Sequence, residues 1–340
     1  MDTQALRATA RSMVASGKGI LAADESSPTI KKRFDTIGVA STEDNRRAYR
    51  ELLFSTEGAE DFISGVILFE ETLRQSAADG TPFPKLLAAR GIIPGIKVDK
   101  GAKPMAGFPE EKITEGLDGL RDRLNEYREL GARFAKWRAV ITIAHALPTA
   151  ANIRANAHAL ARYAALCQEA GLVPIVEPEV LMDGDHDIAR CEIVTTRTLQ
   201  TVFNELFRQR VDLEGMLLKP NMVISGLDCP EQASVETVAE RTVHCFRRVV
   251  PAAVPGIVFL SGGQSSRVAT AHLNAMNAMG DFPWELSFSY GRALQEDTLK
   301  AWGGNADHVG RAQKVFHHRA RCNSAARFGK YTEALEAEAA

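Results

Sequence analysis

A lysine, Lys219, stands inside the apolar run GMLLKPNMV at 215–223, where a charged amine has no ordinary place. Moving an ammonium group out of water costs several kcal/mol, so lysine is almost never fully buried without a partner. Pro220 follows it directly and cannot donate to a strand ladder. The strand is therefore expected to end there, aiming Lys219 into a cavity at its C-terminal edge. At pH 7 an ordinary lysine is neutral in only about one molecule in a few thousand. Burial beside other cations raises that share and makes the amine a nucleophile. The plainer role is a stem packed in the core with its head reaching water.

Other charges fall where a core is expected. Side chains two apart on a strand share a face, which pairs Lys97 with Asp99, Lys136 with Arg138 and Glu177 with Glu179, while Asp24 ends a further apolar segment. Charges on five such segments point to a polar pocket; the competing account, a network of buried salt bridges serving only the fold, is costly relative to apolar packing. Two loops, Ser261-Gly262-Gly263-Gln264-Ser265 and Ser289-Tyr290-Gly291-Arg292, supply glycines that admit backbone N–H groups to an anion and an arginine that can grip it bidentately. Arg33, Lys97 and Arg138 offer a second anion site. The cations Arg33, Lys97, Lys136, Arg138, Lys219 and Arg292 outnumber the carboxylates Asp24, Asp99, Glu177 and Glu179, a surplus suited to a doubly anionic ligand.

These residues need a frame that gathers many strand ends. Short apolar segments alternate with helical patterns along the chain, and strands are expected at 19–25, 63–69, 95–99, 134–141, 173–180, 215–222, 256–260 and 286–289. Helical stripes run through Leu117, Leu120, Leu124 and Tyr127, through Leu160, Tyr163, Ala164 and Cys167, and through Leu199, Val202, Phe203 and Leu206. Ser41 with Asp44 resembles a capping box at the start of the first crossover helix. Eight strands give an α/β fold, a (β/α)8 TIM barrel, as one domain over 1–340, with a short N-terminal helix at about 2–16 and a short flexible acidic and alanine-rich tail at about 332–340. An open doubly wound sheet is the alternative, but no G-x-G-x-x-G follows the first strand. In barrels the active site lies at the C-terminal strand ends, with phosphate held by the loops after strands seven and eight.

Composition narrows the function classes. The net charge is −2, from 41 basic and 43 acidic residues well mixed, which gives no reason to expect nucleic acid or an anionic membrane as partner. Cys167, Cys191, Cys229, Cys245 and Cys322 are odd in number and widely spaced, as in reduced thiols of a cytoplasmic protein. The first 18 residues lack the apolar core of a signal peptide, and the longest apolar run, 249–260, is broken by Pro251, Pro255 and Gly256, so a soluble protein is expected. Asp183-Gly184-Asp185-His186-Asp187 looks like a metal loop but reads as a turn, having no later bidentate glutamate. The eight histidines show no zinc pattern and no G-x-S-x-G is present. No metal or other cofactor is expected.

Taken together, these segments resemble the class I fructose-1,6-bisphosphate aldolases, the metal-independent Schiff-base family, from about residue 17 to residue 331. The resemblance rests on GKGILAADES at 17–26, GVILFEETL at 65–73, GIKVDKG at 95–101, FAKWR at 134–138 and VPIVEPE at 173–179. It continues through DGDHD at 183–187, LLKPNMV at 217–223, FLSGGQS at 259–265, FSYGRALQ at 288–295 and KAWGG at 300–304. It implies a lyase of glycolysis and gluconeogenesis, a homotetramer, in which Lys219 condenses with the substrate ketone. Glu177 is then the acid/base that dehydrates the carbinolamine, supported by Glu179, with Lys136 holding charge beside the nucleophile and Asp24 taking the C4 hydroxyl proton. Ser261, Gly262 and Arg292, with Gly291 beside them, would hold the C1 phosphate, and Ser26, Arg33, Lys97 and Arg138 would act at the C6 end. The chemistry is coherent, because a protonated imine is an electron sink for the carbanion left when C3–C4 breaks.

Two departures bear on that expectation. Thr29 stands where the family has a serine, so the C6-phosphate contact is expected to be altered. The family's animal-type members end in a long tail whose terminal tyrosine assists proton exchange at the enamine; this chain reads Glu333 to Ala340 there, and Tyr331 matches a position before that tail. Water or another acid is expected to supply the proton. The alternatives are an aldolase that prefers another phosphosugar such as fructose 1-phosphate, and a non-catalytic binding scaffold.

Overall fold

The structure, a computed structural model, describes residues 2–338, leaving Ala339 and Ala340 of the expected tail outside the described residues. Eight parallel strands close into a barrel: β1 Gly19–Ala23, β2 Ile63–Leu68, β3 Ile93–Lys97, β4 Phe134–Ile141, β5 Val173–Val180, β6 Leu217–Leu218, β7 Gly256–Phe259 and β8 Glu285–Tyr290. Each strand pairs in parallel with its sequence neighbours, and β1 pairs with β8, so the expected barrel is present and the open sheet is not. An antiparallel hairpin, Ala102–Pro104 with Lys112–Thr114, sits in the connection between β3 and β4.

Period two along the strands sorts the barrel interior into an apolar end and a charged end. Ile20 and Ala22 of β1, Phe134 of β4, Val173 and Ile175 of β5 and Leu217 of β6 share one buried cluster with Leu6, Ala10, Met13 and Val14 of the N-terminal segment. The helix Thr3–Met13, shorter than expected, thus closes the N-terminal mouth. Two residues further along the same strands come Asp24, Lys136, Glu177 and Lys219, at the opposite mouth. A second, larger cluster fills the space between barrel and helices and takes up all three helical stripes, with Leu117 packed against it just ahead of the helix Leu120–Glu129.

Several boundaries differ from expectation for local reasons. β6 has two residues rather than eight, because Leu213–Gly215 forms a 3-10 turn before it and Pro220 has no N–H to continue it. The Lys219 amide still donates to the Val176 carbonyl at 2.8 Å, so pairing with β5 reaches the lysine itself. The helix Glu43–Phe54 is capped by Thr42, whose hydroxyl accepts from the Asn45 amide at 3.1 Å, and not by Ser41, whose carbonyl accepts from Arg46. From residue 332 the chain forms a further short helix, Glu333–Ala337, where Glu336 is held by Arg319, by Arg267 at 3.1 Å and by the Tyr331 hydroxyl at 2.7 Å.

Phe134 shows how tightly the lower barrel is filled. Its ring occupies the space left by the missing side chain of Gly95, where a Cβ would meet ring carbons at 2.2 Å. Gly95→Ala should therefore lower the unfolding free energy by about 1–3 kcal/mol through overpacking. Urea unfolding followed by circular dichroism reads the loss, and a variant as stable as the parent would contradict this packing.

Candidate active site

One cavity of about 840 Å³ opens at the C-terminal mouth of the barrel. Lys219, Glu177, Asp24, Lys136, Glu179, Ser26, Arg33, Lys97, Arg138, Ser261, Gly262, Gly291 and Arg292 all line it. The sequence places them on seven different strands or strand exits, and only a closed barrel brings all of those ends to one rim.

At the floor lies a chain of four charged groups. Lys219 Nζ is 3.4 Å from Glu177 Oε1, Lys136 Nζ is 3.3 Å from Glu177 Oε2, and Lys136 Nζ is 2.7 Å from Asp24 Oδ2. Lys219, Lys136 and Glu177 are each at most 4% exposed, so these ions are paired with little help from water. Burial alone would raise the Asp24 carboxyl, but the ammonium groups of Lys136, Lys219 and Lys97 outweigh it and hold it well below the usual carboxylate range. Glu177 is lowered in the same way: burial opposes ionisation, Lys136, Lys219 and Arg138 favour it, and Asp24 pushes back. The same two carboxylates raise Lys136 well above an ordinary lysine in spite of its burial. In the substrate-free site Lys136 is thus held positive and Asp24 and Glu177 negative, with the Lys219 amine touching the Glu177 carboxylate.

The walls differ in kind. Arg138 is bound to Glu179, and Lys97 lies 3.7 Å from Asp99. Gly262 and Gly263 both have positive φ, +49° and +84°, which a side chain would strain, and their turn leads into the helix Ser266–Ala278 capped by Ser265. Across from it, the helix Arg292–Trp302 starts at Gly291 with no side chain capping its first amides. Open helix amides and a glycine turn beside Arg292 make an anion cradle. On the other side Ser26 Oγ and Thr29 Oγ1 lie 3.1 Å apart. The threonine thus keeps a hydroxyl at the position where alteration was expected.

Asp99 does not face the cavity. β3 ends at Lys97, the alternation lapses, and the Asp99 carboxylate turns to accept from the amides of Gly101 at 3.1 Å and Arg138 at 3.3 Å. Glu25, Lys32, Asp183 and Glu296 line the cavity instead, which narrows the expected excess of cations. Ser289, quoted in the β8 loop but given no role, is buried there with a hydroxyl that has no protein partner. Gln295, which lines the cavity, carries no signal of a role in the site in the sequence. Nor does Arg50, behind the wall, beyond its place in the buried stripe of its helix with Leu53 and Phe54. In the 183–187 loop, Asp187 caps the helix Ile188–Arg208 by accepting from the Arg190 amide at 2.7 Å. No group of three His, Cys, Asp or Glu side chains among the described residues is arranged to hold a metal ion.

Comparison with known proteins agrees with this geometry. The family model of the glycolytic class I fructose-bisphosphate aldolases matches residues 5–340. A probable class 1 fructose-bisphosphate aldolase of Xanthomonas campestris pv. campestris is 60% identical over 332 residues, covering 97% of this chain and 99% of that protein. Fructose-bisphosphate aldolase 4 of Arabidopsis thaliana, named as cytosolic, is 57% identical over 93% of this chain and 80% of its own length. Among solved structures, the fructose-bisphosphate aldolase of Plasmodium falciparum, crystallised with TRAP and a small molecule inhibitor, superposes with a TM-score of 0.96 at 52% identity, covering 97% of this chain and 95% of that one. On the match of the family model over residues 5–340 and the identity to these relatives, this chain belongs to the class I fructose-bisphosphate aldolase family.

Proposed function

We propose that the protein reversibly cleaves fructose 1,6-bisphosphate to dihydroxyacetone phosphate and glyceraldehyde 3-phosphate through an imine on Lys219. The observation that carries this reading is the Glu177 carboxylate set between the amines of Lys219 and Lys136, with Asp24 on the far side of Lys136. As Lys219 Nζ adds to the C2 ketone, Glu177 carries two protons in turn from the Lys219 nitrogen, an ammonium at the outset, to the former ketone oxygen. The first makes the carbinolamine hydroxyl, the second lets it leave as water, and the nitrogen is left as the protonated imine. Glu179, bound to Arg138, supports that carboxylate from the same strand. Asp24 removes the C4 hydroxyl proton and the C3–C4 bond breaks. Its electron pair enters the iminium to give an enamine, and the aldehyde departs. Protonation at C3 and hydrolysis by water then release the ketone and the free amine. Lys136 favours the ionised form of both carboxylates before each proton transfer, so that each is ready to act as a base.

Ser261, Gly262, Gly291 and Arg292 hold the C1 phosphate in this reading, and Ser26, Lys97 and Arg138 act at the C6 end. The Ser26 and Thr29 hydroxyls, with Lys32 and Lys97 on the same cavity, favour a bisphosphate over fructose 1-phosphate. The imine itself is the electron sink, so neither metal nor cofactor has a step here. We further assign the enzyme to glycolysis and gluconeogenesis in the cytoplasm, as a homotetramer with no nucleic-acid or membrane partner. Family membership and a relative named as cytosolic support this, and no helix among the described residues is long and apolar enough to cross a membrane.

Borohydride added with dihydroxyacetone phosphate should leave a stable mass on the peptide that contains Lys219, and EDTA should leave turnover unchanged; mass on a different lysine would refute the assignment. The ionised state of Asp24 can be read separately. A carboxyl depressed in the folded state contributes stability above its unfolded pKa, about 4, and loses it as the pH falls toward its folded value. Acid unfolding of Asp24→Asn should therefore be less steep below about pH 4 than that of the parent, and equal slopes would count against a depressed Asp24.

A further inference from the structure

The cavity wall holds a carboxylate that the proposed reaction does not use. Glu25 leaves β1 directly after Asp24, and its side chain is 5% exposed. Its Oε2 accepts from Arg50 Nη2 at 2.6 Å, while Oε1 accepts from Gln295 Nε2 at 3.1 Å and lies 3.0 Å from Arg33 Nη1. Arg50 belongs to the helix Glu43–Phe54, Gln295 to the helix Arg292–Trp302 and Arg33 to the helix Ser27–Asp35, so one carboxylate ties three helices to the end of β1. The knot closes on itself: Arg50 Nη1 also donates to Gln295 Oε1 at 3.3 Å, and Gln295 Nε2 to the Ala22 carbonyl at 2.8 Å. Arg33, with a quarter of its side chain exposed, is the arm of this knot that reaches the cavity.

Arg33 extends toward Gly291, the start of the helix Arg292–Trp302. Its Nη2 lies 3.8 Å from the place where a side chain on Gly291 would begin, and Arg292 Nη2 lies 3.3 Å from the same place on Gly263. The two guanidinium groups therefore flank the two glycine turns of the anion cradle, and Gln295 sits three residues after Arg292 on the same helix. Burial works against an ionised Glu25, but Arg50 and then Arg33 outweigh it and lower its pKa, so the clamp stays charged. An arginine already fixed by a buried carboxylate has less rotamer freedom to lose when it grips a phosphate than one waving in solvent.

We propose that Glu25 is a positioning residue: clamped by Arg50 and Gln295, it holds Arg33 beside Gly291 so that Arg33 and Arg292 grip the same phosphate from two sides. This deepens the phosphosugar reading and rests on it. It also moves Arg33 from the C6 end of the substrate, where the family resemblance puts it, to the end bound by Ser261 and Gly262.

Steady-state kinetics with fructose 1,6-bisphosphate test it. Glu25→Gln should raise KM about tenfold or more, as when a charge-assisted hydrogen bond is lost, while kcat stays within about twofold. Arg33→Ala should raise KM at least as much, and the double variant should be no worse than Arg33→Ala alone, because Glu25 acts through Arg33. An unchanged KM in Glu25→Gln, or the same further rise in the Arg33→Ala background, would overturn the proposal. Should Glu25→Gln fail to fold for want of a partner for Arg50, Gln295→Met frees Glu25 without changing charge. The same KM rise is then expected with the thermal midpoint measured alongside, and an unchanged KM overturns the proposal. If Arg33→Ala and Arg292→Ala both leave KM unaltered, the phosphosugar reading itself falls and the positioning role with it.

Discussion

One carboxylate holds the site together. Glu177 lies between Lys219 and Lys136, and Lys136 reaches on to Asp24, so the four charged groups of the cavity floor form one chain. An ammonium and a carboxylate each cost several kcal/mol to desolvate, and removing one partner of a buried pair typically costs about 3–5 kcal/mol. A protein selected for stability alone has cheaper ways to fill the centre of a barrel, as its own lower half shows with Phe134, Ile175 and Leu217. The upper half gives up that apolar packing to keep two amines and two carboxylates within contact of one another. The compensation is chemical: an amine in touch with a base that can carry its proton, and a second amine that keeps the bases ionised.

The barrel makes such an arrangement possible through simple periodicity. Alternate residues of each strand point inward, so a strand that reads apolar, apolar, charged along its inner face delivers a sealed base and a polar rim without any special loop. Lys219 reaches the cavity floor because its amide still pairs with β5 while the proline after it ends the strand. The floor is therefore built on the strand ends, whereas the glycine turn after β7 and the uncapped helix start after β8 form the part of the rim suited to an anion.

Much of this was legible in the sequence because it depends on strand periodicity. The pairs Lys136/Arg138 and Glu177/Glu179, the break at Pro220 and the glycine turns each carry a local signal. Asp99 was misread where that signal lapses, one step past the end of β3, where its carboxylate serves loop amides. Ser41 and Thr42 carry the same capping signal in sequence, and the backbone puts Thr42 in the cap position. The knot of Glu25, Arg50, Arg33 and Gln295 spans about 270 residues of chain, from Glu25 to Gln295. No spacing rule joins residues on the helices after β1 to one on the helix that follows β8, so only the folded chain shows that one wall of the site is set by three helices at once.

The central claim is that Glu177 moves the proton that lets Lys219 form and dehydrate its adduct. Single-turnover trapping of the imine in Glu177→Gln, beside the equilibrium affinity for fructose 1,6-bisphosphate, addresses it most directly. The account predicts imine formation slower by about 10²–10⁴-fold, the usual contribution of a positioned acid/base, with substrate affinity little changed. Imine formation at the parental rate in a variant that binds normally would contradict it.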